Sequence, residues 1–259
     1  MINVPPFLDD NPETRRDLAS FYGAIRVADT AIGRILDVLD RTGLRENTWV
    51  IFTTDHGMAF PGAKSTLYDP GIGVACIMRW PKGFTGSRHL DSLFSHVDLV
   101  PTILNALGID APENIQGASA WNALASPYSE PHRQFLFAER THHGTHYDPM
   151  RCVRTQRHKL IRNFQPGSPP PIPGDVQSGG SAIHLTERLL TARPAIELYD
   201  LDTDPWEKNN LAGSTACEQI RQKLTDELNQ WMHLTDDPLL KGPIPLPNAV
   251  TEAQHIIKQ

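Results

Sequence analysis

Leu18, Phe21, Tyr22, Ile25, Ala28, Ile32, Ile35, Leu36 and Leu39 recur at steps of three and four along the chain, the period of one face of an α-helix. Asn11 offers a cap, Pro12 suits the first helical position, and Gly43 supplies a stop. These signals predict a helix of roughly thirty residues, about 45 Å long at 1.5 Å per residue. The pattern then changes. Residues 49–54 read WVIFTT, a short apolar run of β-formers that predicts a buried strand directly after the helix. Further strands are expected at 73–79 and 92–95, followed by a helix from about Asp98 to Leu107 with Pro101 in its first turn and Gly108 as its stop. Helices alternating with buried strands give the rhythm of an α/β fold with a mostly parallel sheet.

From about Phe135 that rhythm loses its helices. Strands are expected at 135–138, 150–154, 159–163 and 196–201, which suits a small antiparallel sheet. A helix over about 216–233 carries Ile220, Leu224, Leu228 and Trp231 on one stripe and is expected to pack on it. The predicted organisation is an α/β core over residues 1–128 and an antiparallel subdomain, with a terminal helix and proline-rich tail, over 129–259. No internal repeat interrupts it.

Composition narrows function more than fold. The 259 residues carry 24 Lys and Arg against 30 Asp and Glu, a net charge of −6. The basic residues are scattered, so neither nucleic acid nor an anionic membrane surface is expected as a partner. The longest apolar stretch, Ile72 to Met78, is too short to span a bilayer. The first residues lack the basic start and apolar centre of a secretory signal, and the compartment stays unassigned. Cys76, Cys152 and Cys217 are odd in number and widely spaced, which suits small buried hydrophobes better than a disulfide framework or a zinc ribbon. The 22 prolines are about 8.5 per cent of the chain against a usual 5 per cent or so. They concentrate at Pro5–Pro6, Pro166–Pro173 and Pro238–Pro247, marking an entry segment, an internal loop and a tail.

Three places offer chemistry. Asp55-His56-Gly57 ends the WVIFTT strand, and ligands of α/β sheets bind just beyond strand carboxyl ends, so Asp55 and His56 are candidate metal ligands. A plain turn accounts for the same residues equally well. Nine positions on, Lys64 lies in PGAKSTLYDPGIGV, a constrained loop that could bring its ammonium to a tetrahedral anion or leave it in solvent. Thr141-His142-His143-Gly144-Thr145-His146 gathers three histidines, readable as a metal site or as an exposed polar loop. The acidic pairs Asp9-Asp10 and Asp236-Asp237 read as polar turns, and His158-Lys159 as hairpin residues.

The succession long helix, WVIFTTDHG, LYDPGI, a strand ending in RWP, HVDLVPTILNALGI and ELYDLDTDPWEKNNLA resembles the carboxyl-terminal half of a sulfatase of the alkaline phosphatase superfamily. FPGAKSTLYDPG and THHGTHYDPMRCVRTQRHKLIRNF are most similar to the heparan N-sulfatase branch. The resemblance implies part of an alkaline-phosphatase-like sheet with flanking helices, and a hydrolase of sulfuric esters or N-sulfo groups on sugars. It implies Asp55 and His56 as ligands of a divalent metal, usually calcium; the imidazole suits zinc or another transition metal better. Lys64 becomes a sulfate contact, and Glu139, His142, His143 and Arg151 are expected to hold the sugar. Sulfatases make a formylglycine nucleophile from a C/S-x-P-x-R motif, and none of the three cysteines sits in one, so the chain is expected to encode no formylglycine. It then reads as a truncated chain that relies on a missing amino-terminal half or on another protomer, with an exposed apolar patch where that cover would lie. A metal-dependent phosphodiesterase of the same superfamily and a non-catalytic fragment needing a second polypeptide are the alternatives. LYDPG and ELYDLDTDPWEKNNLA favour the sulfatase.

Overall fold

A computed structural model describes residues 2–84, 86–87, 89–126, 131–144 and 146–246. Thr145 of the histidine-rich stretch and Pro247 of the tail lie outside them. The architecture is mixed α/β. The chain divides into two compact units, each drawn from separated segments: the first from residues 1–22, 55–74 and 137–259, the second from 23–54 and 75–136.

Helix α1, Pro12–Arg41, begins in the first unit and continues in the second. Its start follows the capping signal, since Asn11 Oδ1 accepts the Thr14 N–H at 2.8 Å. Gly43 ends it with φ at 69°, a left-handed conformation that costs glycine little. Within the first unit, Leu18 is fully buried among Phe7, Leu8, Phe60 and Ala63.

The first unit is organised by a four-stranded sheet in the order β3 (Leu136–His143), β4 (His146–Arg154), β5 (His158–Asn163), β6 (Ile196–Asp200). β4 and β5, and β5 and β6, pair antiparallel as the pattern predicted. Because side chains alternate along a strand, the register sorts them into two faces. Cys152 lies opposite Ile161, and Ile161 opposite Glu197, on one face. There Cys152, Ile161, Met150 and Tyr199 pack against Leu67 and Tyr68 from the loop after Gly57. The other face carries Val153, Leu160 and Leu198 and meets the terminal helix, whose Leu224, Leu228 and Met232 are buried. Covered on both sides, β4 is buried from Asp148 to Val153 without the alternation of a half-exposed strand.

In the second unit, β1 (Val50–Thr53) and β2 (Cys76–Arg79) are joined by a connection whose helix is the single-turn α2, Asp69–Ile72. The expected parallel pairing is replaced here by an antiparallel pair, Val50 opposite Arg79 through Thr53 opposite Cys76. Parallel neighbours need a long crossover, usually a helix, and this connection doubles back instead. β1 is half-buried rather than buried. No strand forms at 92–95: the Ser95 N–H and the Asp98 carboxylate bond to each other in a capping box that starts the turn into α3, Leu99–Ala106. Asp98 is fully buried and also receives the Ala118 N–H at 2.9 Å, Arg133 Nε at 2.7 Å and a second Arg133 nitrogen, with His132 Nε2 at 3.1 Å. Trp49 stacks on Trp80 with centroids 5.4 Å apart, and Phe84 and Trp121, the first residue of α4 (Trp121–Ala125), complete an aromatic cluster. Cys152 is buried as expected, whereas Cys76 is exposed and Cys217 half-buried.

Candidate functional site

Asp55 opens the loop of the first unit. Its Oδ1 accepts the His56 N–H at 3.0 Å, and its side chain is 87% exposed. His56 Nδ1 lies 2.6 Å from the Gly57 carbonyl. A carbonyl can only accept, so Nδ1 carries the proton and Nε2 of the neutral ring presents a lone pair. That Nε2 is 3.5 Å from Asp55 Oδ2. A proton between them makes an ordinary His–Asp ion pair, and a metal cation could occupy the same place. Gly57 is required beside it: its N–H donates to Gly71 at 2.9 Å, and a Cβ would collide with the Pro70 carbonyl. Among the described residues no group of three or more His, Cys, Asp and Glu side chains could hold a metal. The residues present therefore fit part of a metal's ligand set.

Lys64 precedes Ser65, which adopts φ of 66° in a tight turn, an uncommon conformation for a residue with a side chain. Arg140 holds that turn, donating to the Ser65 carbonyl at 2.5 Å while Asp148 takes the same nitrogen at 3.0 Å. Lys64 Nζ meets Asp175 Oδ2 at 2.5 Å, on the short α5, Gly174–Gln177. This hydrogen bond holds the Asp175 carboxyl below its ordinary range. His143 is held below its usual value by burial first, then by Arg140 and Lys64, while Asp175 acts in the opposite direction. The first unit thus assembles Lys64, Asp175, Arg140 and His143, and Asp55 and His56 form a pair of their own.

Four side chains were expected to hold a sugar, and they separate. The histidine-rich stretch is not a free loop: His142 and His143 end β3, His146 begins β4 and Gly144 makes the turn with φ of 57°. His142 packs on Tyr147 with centroids 5.0 Å apart. Glu139 is half-exposed and sits 3.1 Å from Arg151 Nε. Arg151 requires a correction. It alternates with Met150 and Cys152, so it points to the helix side of the sheet, opposite the loop, and its side chain is 1% exposed. Its five donors go to both oxygens of Asp237, at 2.5 and 3.0 Å, to the carbonyls of Arg140 and Met150 and to the Thr141 hydroxyl, leaving none for a sugar. Asp237 is accordingly a buried anchor and not a polar turn, whereas Asp236 is exposed and paired with Lys241.

Lys159, read as a hairpin residue, is fully buried beneath the loop, 2.5 Å from Asp69 and 2.8 Å from Glu207, and it donates to the Leu67 carbonyl at 3.1 Å. Arg154 adds two hydrogen bonds to Asp69. Burial alone would raise the Asp69 pKa, but Lys159 and Arg154 outweigh it and hold the carboxyl low. For Glu207 burial wins and the pKa is raised. Tyr68 and Tyr199 donate to one oxygen of buried Glu197, at 2.7 and 2.5 Å. Asn163 donates to the other at 2.6 Å. These clamps fix the loop that carries Lys64. The signal for them was faint: charged residues at alternating positions of strands otherwise apolar, Arg154 and Lys159 above all.

The expectation of no formylglycine motif also needs correction, from the sequence itself: Ser129-Glu130-Pro131-His132-Arg133 has the S-x-P-x-R spacing. Ser129 and Glu130 lie outside the described residues. The arginine of this motif, with His132, anchors Asp98 at the start of α3 and is thereby committed to the second unit's interior.

Residues 4–109 match the family model described as Sulfatase. The chain is 29% identical over 249 residues to an ulvan-active sulfatase of Formosa agariphila, covering 91% of this chain and 41% of that protein. It is 30% identical over 265 residues to N-sulphoglucosamine sulphohydrolase of Homo sapiens, covering 93% of this chain and 52% of that one. A solved 2-O GAG sulfatase superposes with a TM-score of 0.72 at 21% identity, over 93% of this chain and 48% of its own, and so shares the fold. Residues 4–109 are a sulfatase-family domain, and likeness to sulfatases extends across most of the remaining chain. The chain spans about half the length of the curated relatives it matches. No helix among the described residues is long and apolar enough to cross a membrane.

Proposed function

We propose that this chain is part of a sulfatase acting on a sulfated sugar, cleaving a sulfuric ester or an N-sulfo bond. Asp55 and His56 would supply two ligands of a divalent metal, whose chemistry is to draw charge from the sulfo oxygens. Lys64 would bind one of those oxygens, an ammonium against an anion in a partly desolvated loop. His142 and His143 would line the sugar side, whereas Glu139 sits with Arg151 on the helix side of the sheet. The observation that carries this reading is the pair of facing acceptors at Asp55 and His56, eight residues before a lysine whose loop is held rigidly from beneath. The sulfatase relatives support it over a phosphodiesterase.

The remaining metal ligands and the nucleophile would come from residues outside this site, including a second polypeptide or a further segment of sulfatase sequence. Calorimetric titration tests the metal pair: weak binding of calcium or zinc is expected, lost in Asp55→Ala, because tight sites need several carboxylates. Tight binding that survives Asp55→Ala overturns the site. The chain alone is expected not to turn over an aryl sulfate or glucosamine N-sulfate, and steady turnover by a monodisperse sample would overturn the missing-nucleophile reading. Intact mass decides Ser129 directly, since conversion to formylglycine removes two hydrogens; an unchanged mass is expected.

A further inference from the structure

The Lys64 ammonium already has an anion against it. Its side chain is 20% exposed and that of Asp175 is 52% exposed, so the pair lies at the surface where a ligand can reach both partners. Arg140, itself paired with Asp148, stands near enough to lower the His143 pKa together with Lys64, so each cation of the cluster is matched by one carboxylate. A lysine held by a carboxylate selects differently from a free lysine. A bare tetrahedral anion must displace Asp175 and then remain beside a like charge. A ligand with an N–H or O–H next to its sulfo group can satisfy both partners, its oxygens on Lys64 and its donor on Asp175.

We propose that Asp175 is a specificity-determining residue of the Lys64 site, favouring sulfo groups flanked by a hydrogen-bond donor, such as a sulfamate or a sulfate ester beside a hydroxyl, over inorganic sulfate. This rests on Lys64 being the sulfo contact. No function pattern in the sequence marks Asp175, which sits in PGDV after the proline-rich run.

NMR titrations of the full chain with inorganic sulfate and with glucosamine N-sulfate, on wild type, Asp175→Asn and Lys64→Met, test both layers separately. Wild type is expected to prefer glucosamine N-sulfate. Asp175→Asn should bind inorganic sulfate about 2- to 5-fold tighter, the scale of one partly exposed ion pair, and narrow the preference. Lys64→Met should weaken both ligands. An unchanged preference in Asp175→Asn, with both ligands still weakened by Lys64→Met, overturns the role of Asp175 and spares that of Lys64. Unchanged affinities in Lys64→Met overturn the Lys64 reading itself, and so does failure of every form to bind either ligand. A ligand-free titration of His143, which faces Arg140, Lys64, Asp175 and His146, supplies an independent reading. Its pKa should fall in Asp175→Asn, because a carboxylate that raises it is gone; an unaltered curve means the pair does not persist in solution and overturns the proposal.

Discussion

In the unit carrying Lys64, apolar side chains of the sheet, terminal helix and loop are buried, and the buried charges Lys159, Arg151 and Arg193 each face a carboxylate. The other unit, among its described residues, buries Leu93, Ala120 and Ala123 and leaves Ile25, Val27, Ile35, Val38, Ile77, Val97, Val100, Leu107 and Ile109 exposed. The first unit also leaves Ile183, Leu190 and Leu234 exposed, but it has the larger buried apolar core. The other is held by a polar hub at Asp98 and an aromatic cluster, with many of its large apolar side chains at the surface. The helical stripe that α1 displays is therefore only half used within this chain.

If the first unit depends on matched buried charge, breaking one match should cost most. Lys159→Met leaves buried Glu207 without its cation and Asp69 with Arg154 alone, and is expected to destabilise by about 3–5 kcal/mol in urea unfolding; adding Glu207→Gln should restore part of that. In the second unit Asp98→Ala removes the acceptor of Arg133 and of two backbone N–H groups. A loss of about 2–3 kcal/mol is expected, with hydrogen-exchange protection falling in α3 and around Ala118 while β4 and β5 keep theirs.

Acid should weaken both units. Burial opposes ionisation of Asp69, Asp98 and Asp237, but their Lys, Arg and backbone donors outweigh it and keep all three low. Carboxylates of this kind stabilise fully above their unfolded pKa near ~4, and the contribution is lost as pH falls through the lower folded values. Glu207, raised by burial, offsets part of the loss at the upper end of that window. Thermal unfolding between pH 6 and 2 should show the decline below about 4. The smallest effect on stability is expected from Val27→Ser with Ile35→Ser, at positions 72% and 60% exposed. Folding stability should change by less than about 0.5 kcal/mol, while sedimentation velocity shows less self-association than wild type.

Much of this was legible in the sequence. Periodicity located α1, the paired strands β4, β5 and β6 and the terminal helix because each signal is local: a cap at Asn11, alternation along a strand, a stripe of Leu224 and Leu228. The sense of pairing between β1 and β2 was not, since it depends on how the connecting loop folds back. At the site, Asp55, His56 and Lys64 were visible as residue types in a constrained loop. Their partners were not, because Asp175 lies 111 residues from Lys64 and Asp237 lies 86 from Arg151, separations that no spacing rule spans. Arg151 was misplaced for a related reason. Its face of the sheet is decided by the parity of β4, and an arginine on a strand reads as exposed until a buried carboxylate is found for it.

The loop with Lys64 is also a late arrival in time. Asp69 donates its N–H to Glu207 across 138 residues, and Lys159 bridges the same two side chains. On a ribosome adding about 5–20 residues per second, that interval is on the order of 7–28 s. Throughout it the loop exists without its anchor, while the helix before it has long been complete. Closure over such a distance also raises contact order, so the slow step of refolding should be the docking of residues 55–74 onto the finished sheet. A chain interrupted before Glu207 would hold the residue types of the site with nothing to set their geometry.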